Sequence, residues 1–177
     1  TLSFPAVFVT LGHGQNAFLT AGLFVGALYY LDRKPIIAGL LIGLLTFKPH
    51  LGVLIPLVLL VSGRWRVIFS ACVTTVSFVL ISLVVFGAGA WVAFFASTSK
   101  TASVLNEEMV PFYKMQSVYT SLRAMGFDAD VAYVLHGVFA LCAATLAFLI
   151  WRRDVDLRLK SAALGTGALM LSPYLLD

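Results

Sequence analysis

The chain has 177 residues, 60% of them hydrophobic and only 11% charged, with a formal charge of +4 and a mean hydropathy of +0.98. A soluble domain carries about 25% charged residues, so in water this composition would leave large apolar patches uncovered. The basic residues stand in pairs beside apolar runs rather than on one face, which excludes a nucleic-acid interface.

The natural unit of such a chain is the membrane span, about 20 apolar residues rising 1.5 Å each. Phe4 to Leu11 is too short to cross, and Gly12-His13-Gly14-Gln15-Asn16 interrupts it. A helix is predicted over 17–31, closed by Asp32-Arg33-Lys34-Pro35. Pro35 suits the first turn of the next helix, where its missing N–H costs nothing. Two apolar halves, 36–47 and 51–62, flank Lys48-Pro49-His50. Each gives roughly 18 Å of helix, too little for a hydrocarbon core about 30 Å thick. They read either as one helix kinked at Pro49 or as a hairpin of two half-depth helices with Lys48 near its tip.

After Arg64 and Arg66, residues 67–86 form one clean crossing. The stretch 87–130 reads as a long loop. Trp91, Phe94 and Phe95 suggest a short interfacial helix within it. Glu107 and Glu108 read as solvated, since adjacent carboxylates point different ways. A turn at Pro111 then leads into an amphipathic helix ending by Gly126. Helices over 131–150 and 161–172 complete the pattern. Cys72 and Cys142 both lie inside apolar runs and read as small hydrophobes, not as a disulfide or metal site.

Charge bias favours the hairpin. It brings Arg33, Lys34, Arg64, Arg66, Arg152, Arg153, Arg158 and Lys160 to one side, the cytoplasmic one. These are eight of the 12 Lys and Arg residues. The expected fold is therefore an all-α, polytopic membrane protein. His13 to Asn16, Lys48 to His50, the 87–130 loop and Ser172 to Asp177 would all face the extracytoplasmic side.

Lys48 carries the sharpest signal. A lysine in or near hydrocarbon costs roughly 2.5–3.5 kcal/mol unless compensated. It either snorkels to head groups, pairs within the protein, or neutralises the phosphate of a lipid-linked substrate. Gln15 and Asn16 lie at a helix mouth, where they serve as caps or offer amides to hydroxyls and phosphate oxygens. His13 either faces water or joins Gln15 and Asn16 in binding the substrate or its phosphate, and His50 is either an interfacial cap or a neutral base or donor near pH 7 in the same role. Gln116, Ser117 and Tyr119 on the amphipathic helix, with Tyr174 and Asp177 after the Pro173 bend, are candidates to line a cavity at the membrane surface. There is no glycine-rich phosphate loop, no serine elbow and no spaced Cys/His metal set. The residues call for no cofactor and leave a divalent ion beside a phosphate open. The chain begins at Thr1 without an initiator Met and stops where an apolar run meets a polar turn, so it is expected to be an internal piece of a larger membrane protein.

Five segments together resemble glycosyltransferase family 87, polytopic enzymes of the GT-C class that include bacterial polyprenyl-phosphate-mannose-dependent mannosyltransferases and arabinofuranosyltransferases. They are Gly14-Gln15-Asn16, Asp32-Arg33-Lys34-Pro35, Ala38 through Phe47-Lys48-Pro49, Met115-Gln116-Ser117-Val118-Tyr119, and Leu171-Ser172-Pro173-Tyr174-Leu175-Leu176-Asp177. The resemblance implies a GT-C-like helical bundle in a bacterial cytoplasmic membrane. It implies an inverting transfer of mannose or another hexose or pentose from a polyprenyl phosphate to an extracytoplasmic glycolipid or glycan. Gln15, Asn16 and Lys48 would lie by the donor or acceptor cavity, whereas His50 departs from the glutamine that often follows Lys-Pro. The family's base is an aspartate in the first extracytoplasmic loop, which falls upstream of Thr1, so residues 1–177 alone are expected to be inactive. Two other classes fit the same hydropathy. One is a transporter or flippase for polar lipids, which would also have broken helices and a buried lysine. The other is a non-catalytic structural subunit.

Overall fold

The computed structural model describes residues 12, 15–48, 52–106 and 117–172, and every regular element among them is helical. Helix α1 covers Ala17–Tyr30 and α2 covers Pro35–Leu44, continued by a 3-10 turn over Leu45–Phe47. Helix α3 is Leu54–Val61 and α4 is Trp65–Asn106. Helices α5 (Val118–Ala124), α6 (Ala129–Arg152) and α7 (Leu157–Leu171) follow.

Local chemistry explains most of the boundaries. Pro35 occupies the first turn of α2, where it pre-sets the backbone and forfeits nothing. Helix α3 ends in a Schellman turn: Gly63 is left-handed, its N–H bonds Leu60 O, and the Arg64 N–H bonds Leu59 O. Ser117 caps α5 through a reciprocal box with Thr120, and Asp128 and Asp156 cap α6 and α7 with side-chain oxygens.

Within 87–130 the helix after Gly87 runs longer than the short interfacial helix expected around Trp91, Phe94 and Phe95. Helical backbone continues on both sides of Gly87, whose φ of 75° and ψ of 166° break the ladder at one residue. Glycine tolerates that conformation, which L side chains rarely adopt. The apolar residues after it, such as Val92, Phe94 and Phe95, sustain a second helix as far as Asn106.

Packing decides the topology. Gly39 and Gly43 of α2 press against Ser70 and Thr74 of α4, so closely that a Cβ at either glycine would stand 2.5 Å from the facing Cβ. Ser70 Oγ donates to Ile36 O at 2.8 Å, and Thr46 Oγ1 lies 3.4 Å from Thr75 Oγ1. Contacts advance together along both helices, so α2 and α4 run parallel. The chain between them must then reverse, and α3 is the return leg. At the start of α4, Arg64 is paired with Asp32 and donates to Leu31 O at 3.3 Å. The turn before α2 and the turn before α4 therefore lie side by side.

The second half joins at the same level. Leu31, Leu59, Trp151 and Leu164 share one buried cluster, and Trp151 Nε1 donates to Lys160 O at 2.8 Å. All eight basic residues of the three turns thus gather at one end of the bundle. From that end, α1, α2 with its 3-10 turn, and α7 each reach only about 21 Å. By contrast, α4 from Trp65 to Gly87 reaches about 33 Å and α6 about 36 Å. Helices Trp65–Ser97 and Ala129–Arg152 are long and apolar enough to cross a membrane. Val84, at 84% exposure, and Leu141, at 68%, stand uncovered on them, as lipid-facing side chains do and water-facing ones rarely do.

Candidate functional site

The short helices are stepped against the long ones. Asn16, Lys48 and Ser172 bound α1, the 3-10 turn after α2, and α7 at the ends away from the basic turns, while α4 and α6 continue past them. Gly26 of α1 approaches Leu41 of α2. Continued along the antiparallel pair, that register brings Lys48 alongside the first turn of α1, and the 3-10 turn packs against that helix. Gln15, Asn16 and Lys48 therefore share one end of the bundle.

Asn16 holds the N-cap position of α1, yet its side chain makes no capping hydrogen bond. The first turn is tied instead through Thr20, whose hydroxyl donates to Asn16 O at 3.0 Å. The Asn16 side chain is exposed. Lys48 closes the 3-10 turn, its backbone N–H bonded to Leu45 O at 2.9 Å, and its side chain is part-exposed. The height of this tip follows from its pairing with α4. Thr46 faces Thr75, about 15 Å above Trp65 and about 18 Å below Gly87 at helical rise. The tip of the arm thus stands about 15 Å along α4 from its start at Trp65.

A second polar group lies at the same end, on α5, α6 and α7. Tyr119 is 1% exposed, and its ring centroid is 4.2 Å from that of Tyr133. Ser117, one of the residues expected to line a cavity, is engaged as the cap of α5. One turn beyond Tyr133, His136 is 5% exposed, with Nε2 3.4 Å from Leu171 O at the last turn of α7. Its Nδ1 has no hydrogen-bond partner among the described residues. Ser172, next in the chain, is also buried. Sequence reasoning missed His136, although an ionisable residue inside an otherwise apolar crossing was the available signal. The remaining expected site residues, His13, His50, Gln116, Tyr174 and Asp177, lie outside the described residues. Among the described residues, no group of three or more His, Cys, Asp and Glu side chains is placed to hold a metal ion.

Chemically, the described residues offer one cation, Lys48, and two neutral amides, Gln15 and Asn16, at one end of the bundle. No curated protein matches the chain, and no solved structure matches it. The model of glycosyltransferase family 87 matches residues 1–173, nearly the whole sequence. With its long apolar helices, the chain belongs to glycosyltransferase family 87.

Proposed function

We propose that this chain forms part of an inverting membrane glycosyltransferase. It transfers a hexosyl or pentosyl unit, mannose being the first choice, from a polyprenyl phosphate to an extracytoplasmic glycolipid or glycan. Family membership supports the lipid-linked donor. The observation that carries the site is Lys48 at the free end of a half-height arm, level with Gln15 and Asn16 and opposite the basic turns.

By the positive-inside rule, the end bearing Arg33, Lys34, Arg64, Arg66, Arg152, Arg153, Arg158 and Lys160 faces the cytoplasm. The recess then opens to the outside of a bacterial cytoplasmic membrane, and the bundle is polytopic and GT-C-like. In this reading the acceptor hydroxyl oxygen attacks the anomeric carbon as a carboxylate removes its proton. The bond from that carbon to the phosphate oxygen breaks, and the phosphate leaves with the electron pair. Phosphate is already a competent leaving group, so no general acid is required. Lys48 opposes the charge that gathers on it. Gln15 and Asn16 donate amide N–H groups to phosphate or sugar oxygens. The carboxylate corresponds to the aspartate that the family places in its first extracytoplasmic loop. His13 and His50 are assigned to binding the substrate or its phosphate, and Gln116, Tyr174 and Asp177 to lining the cavity.

The test is sugar transfer from a polyprenyl-phosphate sugar by the full-length enzyme. Lys48→Ala is expected to lower kcat about 100-fold, the scale for losing one transition-state charge contact, and Lys48→Arg to restore part of it. Donor turnover and affinity unchanged in Lys48→Ala would remove Lys48 from the site.

A further inference from the structure

The parallel seam between α2 and α4 has two flanks. Gly39 and Gly43 meet Ser70 and Thr74 along its centre. On one flank, Ile42 and Leu45 of α2 and Ile68 and Cys72 of α4 face Ile55 and Leu59 of α3. At about 100° per residue, Ile36 and Leu40 of α2 fall on the opposite flank, as do Arg66 and Val73 of α4, with Phe69 at its rim. These apolar side chains are uncovered: Ile36 is 69% exposed and Phe69 73%, and Leu40 and Val73 are exposed as well. Helix α1 packs elsewhere on α2, where Gly26 approaches Leu41. Helices α6 and α7 join from the side of α3, through Trp151, Leu164 and Leu59.

The end of this outer flank nearest the basic turns is cationic. Ser70 stands opposite Gly39, so one turn back Arg66 stands opposite Pro35, beside Lys34. Arg66 shares a face of α4 with Ser70, whose hydroxyl donates to Ile36 O at 2.8 Å. Lys34 and Arg66 are both exposed. Neither is paired with a carboxylate among the described residues, since the neighbouring Asp32 is taken by Arg64. Trp65, 64% exposed beside Arg66, marks the level of the head groups.

We propose that this outer flank binds an anionic phospholipid from the leaflet at the basic end. Its phosphate lies between Lys34 and Arg66, and an acyl chain follows Ile36, Leu40, Phe69 and Val73. The site goes beyond the transferase reading and does not depend on it.

Charge selects this occupant. A protein helix seated on the flank would have to bring carboxylates to the level of Lys34 and Arg66, because covering an unpaired cation is costly. A zwitterionic head group answers the two cations with a phosphate already balanced by its own ammonium. A phosphatidylglycerol head answers them with a net negative charge, and its hydrocarbon tail asks no hydrogen bonds of the aliphatic wall. Placement of cations at this end for topology alone does not require two of them to converge at the head of an uncovered apolar flank. Arg153 and Arg158, at the turn between α6 and α7, supply the contrast: they are exposed at the same end but away from this flank.

The experiment titrates the full-length protein in detergent with phosphatidylglycerol or phosphatidylcholine of matched chains, counting bound lipid by native mass spectrometry. Phosphatidylglycerol is expected to bind about tenfold more tightly than phosphatidylcholine. Lys34→Gln with Arg66→Gln should weaken phosphatidylglycerol binding about 30-fold, the combined worth of two cations at a membrane surface. Arg153→Gln with Arg158→Gln should leave it within about twofold. Equal losses in the two double variants would assign the effect to the general surface potential and overturn the site, as would the absence of any preference between the two lipids.

The tail is tested with Val73→Cys on a background of Cys72→Ser and Cys142→Ser, again in the full-length protein. N-ethylmaleimide is expected to modify this cysteine in detergent, and phosphatidylglycerol to slow the reaction where phosphatidylcholine at the same mole fraction does not. A cysteine at 73 that resists modification without lipid would mean that another segment of the protein covers the flank, and would sink the proposal. Equal protection by both lipids would do the same. Sugar transfer is not a readout in either arm, so failure here leaves the transferase reading intact.

Discussion

Arg64 reaches back to Asp32 across 32 positions of sequence, and the same guanidinium donates to Leu31 O. This clamp joins the two ends of the α2–α3 excursion, so the arm carrying Lys48 leaves and re-enters the bundle at one place. The carboxylate is 56% exposed and the guanidinium 22%, which decides how the two partners differ in worth.

Asp32→Asn is expected to cost at most about 1 kcal/mol, because an exposed ion pair gains little over its hydrated parts. Arg64→Ala also removes the bond to the Leu31 carbonyl and the packing of a long aliphatic stem, and is expected to cost about 1–3 kcal/mol. Thermal unfolding of both variants in detergent micelles checks this. Equal losses would mean that charge, rather than the carbonyl bond and packing, holds the two turns together.

The glycines predict opposite signs. Gly43→Leu drives a side chain into Thr74 and the backbone of Ala71, and is expected to destabilise by about 1–3 kcal/mol or to prevent folding. Gly22 of α1 has nothing within 4 Å of an added Cβ. Gly22→Ala should therefore stabilise, by up to about 1 kcal/mol, through helix propensity alone. Melting temperatures of the pair give the comparison, and a tolerated Gly43→Leu would refute the close parallel packing of α2 on α4.

His136 is expected to position the end of α7 through the Leu171 carbonyl. His136→Leu should cost only about 0.5–1.5 kcal/mol of stability, the scale of a hydrogen bond between membrane helices. It should lower kcat by about fivefold or more with little change in KM. His136→Gln, whose amide can still donate to that carbonyl, should recover most of the loss. A kcat unaffected by His136→Leu would restrict the residue to packing.

Orientation is testable with single cysteines on a background of Cys72→Ser and Cys142→Ser. In intact cells, a membrane-impermeant maleimide is expected to label Asn16→Cys in the full-length protein and to spare Arg158→Cys until the cells are opened. The reverse pattern would turn the recess toward the cytoplasm and exclude an extracytoplasmic acceptor.

Residues with strong local preferences were readable directly. Pro35 starts α2, and Gly126 lies just past the end of α5. The break at Gly87 and a helix after it were legible from the glycine and the aromatics that follow, but not the length of that helix, which reaches Asn106. His136 was passed over because a lone polar residue in an apolar helix has no periodic signature. Its meaning comes from Leu171, 35 positions away.

Sequence alone determined the solvent and the clustering of charge, since transfer free energy and charge placement are additive residue by residue. Only the tertiary structure decided that α2 and α4 run parallel, that Asp32 meets Arg64, and that the turn ending at Lys48 packs against α1. The parallel pairing depends on which small residues let two backbones approach. Glycine's lack of a side chain is written at Gly39 and Gly43, but the Ser70 and Thr74 that fill the space are chosen by packing.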